Sequence, residues 1–357
     1  MPIEPMFTAN PVADAWHAVT APGGYEWWYF DAEDPAGDTQ IVGILLEGFV
    51  FHPGYLRAIA RYQRRPTKTL PPRAGDYPCA YLCVYRGGRI AHQFMTQYKP
   101  ADFSAERDRV DVQLGENRLT KDNDGALRLS LRGVPWELTW QGPQTRRGQT
   151  LSADLTFRPR WTHPPIERRF LSEAMTGADH HWAIANPACD VAGQICLSGA
   201  AEPLTIDFAG RGYHDHNYGT GPLGPGLARW IWGRVIRDDR VLTFHYAVPR
   251  ASGLSPEVHL VQADAQGASE VKVEKVQADW SRRSNTGLAF PQALAMHDHL
   301  SLSNPRMIDA TPFYLRLQYD VAGASEKAFC EVAYPHRLRW PVLGRMIEMS
   351  FDKKPLR

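Results

Sequence analysis

The chain has 357 residues, which exceeds the usual length of one domain, so we expect two domains. Apolar residues make up 43% of the sequence and charged residues 22%, a globular composition that excludes a disordered chain. The formal net charge is +1 and the sequence has no block of like charges, which argues against a nucleic-acid partner.

Cellular setting is indicated by the N-terminus, the hydropathy and the cysteines. The first residues lack a basic region followed by an apolar one, so we expect no signal peptide. No apolar run approaches the ~20 residues that cross a bilayer. The five cysteines are an odd number without C-x-x-C spacing. These features predict a cytoplasmic protein with reduced thiols.

Segments in which apolar and polar residues alternate dominate the chain, and turn residues separate them. The predicted strands are, in chain order, 25–32, 38–51, 79–95, 125–133, 136–140, 151–157, 191–199, 203–210, 229–236, 240–248, 257–262 and 313–321. Gly87–Gly88 and Asp238–Asp239 are two-residue hairpin signals, and 54–64 has the spacing of an amphipathic helix. The pattern predicts an all-β chain of the barrel or sandwich type.

Two stretches of the chain share one plan. Residues 25–45 and 228–246 each read as an aromatic strand, a charged turn and an apolar strand. The Gly- and Pro-rich segment GTGPLGPG precedes the second stretch. We therefore predict an N-terminal β-domain over 1–222 and a C-terminal β-domain over 223–357. A single large sandwich built from similar strands would produce the same repeated pattern.

The stretch GRGYHDHNYGTG concentrates polar side chains between glycines. In a strand, Tyr213, Asp215 and Asn217 share one face, and His214 and His216 share the other. A desolvated Asp215 would stay protonated and act as an acid, whereas an Asp in a turn would only accept backbone hydrogen bonds. From these residues alone both roles stay open.

The histidine face suggests a metal site, but one strand supplies only two of the ligands that zinc needs. His297 and His299 form a second pair with the same spacing. No H-E-x-x-H pattern completes either pair, so we expect no metal. The glycines also lack the strand–helix context of a nucleotide-binding loop, and we expect no cofactor.

A second stretch, GADHHWAIANP, places His180 and Trp182 on one face of a strand and His181 on the other. His180 is titratable, and the indole of Trp182 can stabilise a cation through its ring. Core packing of the tryptophan and a turn role for the histidine are the structural alternatives.

Taken together, these stretches resemble the carotenoid 1,2-hydratase family (hydroxyneurosporene synthases) and the related lipocalin-like group that includes fungal Diels–Alderases. The resemblance lies in PGGYEWWYFDA, FVFHPGYLRAIAR, HHW, YHDHNYG, ARWIWGRV and TPFYLRL. The order H-x-W, Y-x-D-H-N-x-G, W-x-W is its most specific part. These islands span nearly the whole chain, with divergent loops between them.

The resemblance implies two β-domains, a lipocalin-like barrel and the cofactor-free addition of water to a terminal isoprenoid double bond. It places the functional residues on His180, Trp182, Tyr213 and Asp215, with Asp215 as the acid. The expected substrate contacts are Trp28, Trp230, Trp232 and Asn217. The partner is then an apolar isoprenoid or polyene, which allows peripheral membrane contact.

Two other functions fit the same resemblance. A cyclase or pericyclase would use the site without adding water. A non-catalytic lipocalin-like carrier would bind an apolar ligand without turnover. Fold alone does not separate these functions.

Overall fold

The computed structural model describes residues 7–170, 179–224 and 226–353, which form mostly β structure in two compact units. The first unit comprises residues 8–170, 179–223 and 339–353, and the second comprises Phe7, Gly224 and 226–338. The predicted all-β fold with two β-domains is confirmed. Residues 339–353 cluster with the first unit because Phe351 packs into its apolar side chains.

The first unit contains one large sheet. Its strands and those of a separate hairpin are β1 (Thr8–Ala9), β2 (Tyr25–Glu33), β3 (Thr39–Glu47), β4 (Cys79–Arg86), β5 (Arg89–Gln97), β6 (Phe103–Ala105), β7 (Asp111–Leu114), β8 (Asn117–Lys121), β9 (Leu127–Gly133), β10 (Trp136–Thr139), β11 (Gly142–Thr145), β12 (Thr150–Pro159), β13 (Ile166–Phe170), β14 (His180–Ser198), β15 (Leu204–Gly219) and β27 (Asp352–Lys353). The strand order is β27-β5-β4-β3-β2-β15-β14-β12-β9-β8-β7-β6, with β13 also beside β14 and β1 beside β13. β10 and β11 form the hairpin.

The second unit is a sheet of antiparallel strands with its own apolar core. Its strands are β16 (Leu227–Ile236), β17 (Arg240–Pro249), β18 (Glu257–Asp264), β19 (Gly267–Val271), β20 (Val276–Asp279), β21 (Arg282–Arg283), β22 (Ala289–Phe290), β23 (Ala293–Met296), β24 (Leu300–Ala310), β25 (Tyr314–Val321) and β26 (Lys327–Ala333). The order is β19-β18-β17-β16-β26-β25-β24-β23-β20, with β21 and β22 paired separately.

The described residues contain two α-helices, α1 (Pro53–Arg64) and α2 (Pro341–Ser350). The predicted helix over 54–64 is confirmed: the His52 ring accepts the Tyr55 backbone N–H at 3.2 Å, and proline occupies the first turn. Helix α2 was not predicted from the sequence, because fewer than three full turns give only a short apolar periodicity. Short 3-10 turns lie at Ala74–Asp76, Pro100–Asp102 and Pro335–Arg339.

The two faces of the first sheet differ, and this difference positions the site. Along β2, Trp28 and Phe30 enter the large apolar core. Because side chains alternate, Trp27 and Tyr29 project to the other face. That second face has a smaller apolar cluster in which Trp27 packs with side chains of β3, β4 and α2.

Candidate active site

The central strand β15 carries Asp215 between β2 and β14. In the strand registers Asp215 lies opposite Tyr29 of β2 and Ile184 of β14. Residues paired across antiparallel strands project to the same face, so Tyr29 and Asp215 share one surface. Residues 213–217 lie within β15, so the alternation considered for this stretch applies to it.

Three side chains donate hydrogen bonds to the Asp215 carboxyl group. Trp182 Nε1 and the Tyr213 hydroxyl each donate to Oδ2 at 2.9 Å. Asn217 Nδ2 donates to Oδ1 at 2.8 Å. Asp215 is only 3% exposed. The structure therefore assembles four side chains that sequence analysis singled out, with Asp215 at the centre.

His180 extends this group through Asn217 and Tyr25. Its Nδ1 lies 2.7 Å from the Tyr25 hydroxyl, and its ring hydrogen-bonds to the side chain of Asn217. A Cβ atom on Gly219 would lie 2.4 Å from the Tyr25 ring, so this glycine allows Tyr25 to lie against the backbone. The side chains form a chain from Tyr25 through His180 and Asn217 to Asp215.

Burial sets the protonation states around the carboxyl. Burial lowers the pKa of His180 to about 3, with a further contribution from His181, so the His180 ring is neutral at pH 7. Burial also raises the pKa of Tyr25 and that of Tyr213 well above the ordinary value. Both tyrosines therefore keep their protons and can donate them in hydrogen bonds.

Trp28 lies on the opposite face from Asp215, contrary to its expected place at the substrate. It is fully buried, its ring stacks on His216 with centroids 4.5 Å apart, and its Nε1 donates to the Asp14 carbonyl at 3.1 Å. Trp27 takes the position beside Asn217 in the strand register. Alternation separates the two tryptophans, and only the register with β15 shows which one faces the site.

Trp230 and Trp232 lie on β16 in the second unit. They share a face with His245 of β17 and Glu331 of β26, opposite the face that forms the apolar core. Trp232 is buried and Trp230 is half-buried. Both are on the polar and aromatic side of their sheet, and their contact with substrate stays a prediction.

His214 and His216 lie on the face opposite Asp215 and form polar contacts there. His214 Nε2 is 2.9 Å from Asp14 Oδ1, and His216 Nε2 is 2.9 Å from Glu26 Oε1. Sequence analysis did not find Asp14 or Glu26, because each lies about 200 positions from its histidine. The other histidine pair, His297 and His299, is exposed in the turn between β23 and β24.

A second carboxyl group, Glu167 on β13, joins three elements of the first unit. It contacts His181 Nδ1 at 3.1 Å and Asn10 Nδ2 at 2.7 Å, and it accepts a hydrogen bond from the Tyr218 hydroxyl. Burial alone would raise the pKa of Glu167, but these hydrogen bonds together lower it to about 2. The ionised carboxylate thus stabilises the folded state.

Because the pKa of Glu167 falls on folding, its stabilising effect should be complete above about pH 5 and should disappear as the pH falls toward 2. We expect Glu167→Gln to lower the free energy of unfolding at pH 7 by on the order of 2 kcal/mol, allowing for partial solvent screening. Urea denaturation should show a smaller difference in the free energy of unfolding between Glu167→Gln and the parent protein at pH 3 than at pH 7. Glu202→Gln, which changes an exposed carboxyl group, is the control. A loss of stability in Glu167→Gln that does not change with pH would contradict the stabilising role of the ionised Glu167 carboxylate.

Known proteins resemble this chain over a range that includes the same residues. A family model described as "Carotenoid hydratase CrtC" matches residues 167–356, a range that contains His180, Trp182, Tyr213, Asp215 and Asn217. The chain is 29% identical over 321 residues to a hydroxyneurosporene dehydrogenase of Chlorobaculum tepidum, covering 87% of this chain and 80% of that protein. It is 26% identical over 339 residues to an acyclic carotenoid 1,2-hydratase of Thiocapsa roseopersicina, covering 93% and 74%.

Solved structures with this fold include two that the chain matches over most of its length. A crystal structure assigned to AttH of Nitrosomonas europaea has a TM-score of 0.57 at 16% identity and covers 93% of this chain and 98% of that one. Kievitone hydratase of Nectria haematococca has a TM-score of 0.50 at 11% identity and covers 92% and 95%. At these identities the likeness concerns the fold alone.

Neither α1 nor α2, the helices of the described residues, has the length and hydropathy needed to cross a membrane. The family match spans more than half of the chain, including the strands that carry the Asp215 group. The family match therefore includes Asp215 and the three side chains that donate hydrogen bonds to it. The chain belongs to the carotenoid hydratase CrtC family.

Proposed function

We propose that the protein adds water to a terminal double bond of an acyclic, carotenoid-like isoprenoid, with Asp215 as the acid. The observation that carries the proposal is a buried carboxyl group held by three hydrogen-bond donors on one sheet face. Family membership supports a carotenoid substrate, and the relative from Thiocapsa roseopersicina is named for a 1,2-hydration.

The three donors suit an acid that protonates an alkene. An alkene is a very weak base, so the acid must leave behind a well-stabilised carboxylate. Trp182, Tyr213 and Asn217 provide donors for that carboxylate in a buried setting, where charge-assisted hydrogen bonds are strong. Since Oδ2 already accepts two of these bonds, Oδ1 is the oxygen that carries the transferable proton.

The reaction balances without an added reagent. Asp215 transfers its proton to the less substituted carbon of the double bond, which leaves a tertiary cation and a carboxylate. Water adds to the cation, and the proton that it releases returns to the carboxylate. The product is a tertiary alcohol, and Asp215 is ready for another turnover.

Aromatic side chains on the same face can stabilise the cation. Tyr29 lies opposite Asp215 in the register, and Trp27 lies opposite Asn217. The faces of such rings attract a cation. The neutral His180, held by Tyr25 and Asn217, is a hydrogen-bonding group that can orient the incoming water.

The direct test is turnover in water labelled with ¹⁸O. Lycopene, neurosporene and squalene are supplied in phospholipid vesicles, since exposed Leu138, Trp140 and Val342 favour peripheral membrane contact. We expect a tertiary alcohol that carries the label, detected by mass spectrometry. An isomer without added oxygen would indicate a cyclase, and loss of hydrogen would indicate a dehydrogenase. Either product, or binding without turnover, would overturn the hydratase proposal.

A further inference from the structure

We propose that His17, Glu26 and His216 form a binding site for a divalent transition metal of the zinc class. This site lies on the face of β2 and β15 opposite Asp215. It does not depend on the proposed reaction. His17 precedes β2, Glu26 lies within β2, and His216 lies within β15.

The three side chains converge within one coordination sphere. The Glu26 carboxylate oxygen Oε1 lies 3.0 Å from His17 Nδ1 and 2.9 Å from His216 Nε2. The candidate ligand atoms all lie within 4.8 Å of one another. Zinc binds imidazole nitrogen and carboxylate oxygen at about 2.0–2.2 Å, so a small outward movement would admit the ion.

The hydrogen bonds of His216 leave its Nε2 atom as the ligand. Its Nδ1 lies 3.0 Å from the Ala13 carbonyl and donates its proton there. In the neutral ring, Nε2 then presents a lone pair to Glu26 Oε1, so two acceptors face each other at 2.9 Å. A positive charge between them removes this conflict. A backbone carbonyl that fixes the second ring nitrogen is also the usual support of a metal-bound histidine.

Two buried atoms of these side chains have no hydrogen-bond partner among the described residues. They are Glu26 Oε2 and His216 Nε2. His216 Nε2 lies 2.9 Å from Glu26 Oε1 but makes no hydrogen bond there. A metal ion can bind both atoms. Unpaired buried polar atoms are costly, so these two atoms favour a bound cation.

Aromatic rings pack against two of the three ligands, and one ligand is partly exposed. The Trp28 ring stacks on His216, and the Tyr218 ring stacks on His17 with centroids 3.7 Å apart. The side chains of Glu26 and His216 are fully buried, whereas that of His17 is 22% exposed. Three protein ligands with one partly open position would leave room for a water as the fourth ligand.

Bound metal would hold the segment before β2 against two strands of the sheet. β15 is also the strand that bears Asp215, and β2 bears Trp27. We therefore infer a structural ion, which raises stability by binding only the folded state. The alternative occupant is a proton shared by His216 and Glu26 in a buried ion pair.

The test measures metal content and thermal stability in full-length protein from which any affinity tag has been removed. We expect one Zn²⁺ per chain by mass spectrometry of the metal. Chelation should lower the melting temperature by a few degrees, and added Zn²⁺ should restore it. Co²⁺ substituted for Zn²⁺ should show the visible absorption bands of a tetrahedral site.

His17→Ala removes the partly exposed ligand and leaves the two buried ligands in place. This variant should lose stoichiometric Zn²⁺, and its melting temperature should no longer respond to Zn²⁺. His297→Ala, which alters an exposed turn histidine, is the matched control and should behave like the parent protein. Failure of the parent protein to bind Zn²⁺, or unchanged binding in His17→Ala, would overturn the metal site and assign the cluster to a shared proton.

Discussion

Asp215→Asn should reduce turnover by about 10³-fold or more, because the amide cannot deliver a proton to the alkene. The substitution preserves the shape of the side chain, and its remaining oxygen can still accept from Trp182 and Tyr213. Its new NH₂ group would face the NH₂ group of Asn217, which should cost about 1 kcal/mol of stability. Activity against the acyclic carotenoid and urea denaturation would measure the two effects separately.

Partial losses from the donor residues would distinguish an acid from a merely structural carboxyl group. Tyr213→Phe and Trp182→Phe each remove one donor to Oδ2. A hydrogen bond to a charged group contributes about 1.5–3 kcal/mol, so each variant should lose about 10- to 100-fold in kcat. Turnover of Asp215→Asn at the rate of the parent protein would contradict the proposed acid, whatever the donors do.

Trp28→Ala should unfold far more easily than Trp27→Ala, although the two residues are neighbours. Trp28 is fully buried in the large core, and its removal should cost about 3–5 kcal/mol. Trp27 is half-buried on the face of Asp215, where its ring stacks on Tyr25 with centroids 5.1 Å apart. We therefore expect Trp27→Ala to lower kcat/KM at least 10-fold, with less than half the loss of stability.

Equilibrium denaturation and steady-state kinetics of the two variants would test this contrast. Each is the control for the other, because both remove an indole from the same strand. Trp28→Phe should recover much of the stability by refilling part of the cavity. A stable Trp28→Ala protein with impaired substrate binding would show that the substrate occupies the opposite face of β2.

The two faces of β15 serve different purposes in this arrangement. Tyr213, Asp215 and Asn217 face the proposed substrate, while His214 and His216 tie the strand to Asp14 and Glu26. The same alternation that presents Asp215 on one face thus directs the neighbouring histidines toward structural partners on the other. Paired strands on both sides of β15 help to hold the Asp215 carboxyl group in one orientation.

The sequence by itself determined the fold class and the composition of the face that carries Asp215. Alternation is a local property of a strand, so it was enough to group Tyr213 with Asp215 and His180 with Trp182. Composition and turn residues were likewise enough for an all-β chain with two domains. The helix over 54–64 was predictable because its apolar spacing and its first-turn proline are local signals.

Only the tertiary structure decided which strands meet and in which register. Tyr25 and His180 are 155 positions apart, and no local pattern shows that their side chains touch. The register of β2 against β15 places Trp27, not Trp28, on the face that carries Asp215, since a shift of one residue would exchange the faces. The same pairing brings Glu26 to His216. Contacts of this kind depend on the pairing of strands that are far apart in sequence. The energy of that pairing comes from the burial of entire sheet faces, so no short stretch of sequence determines it.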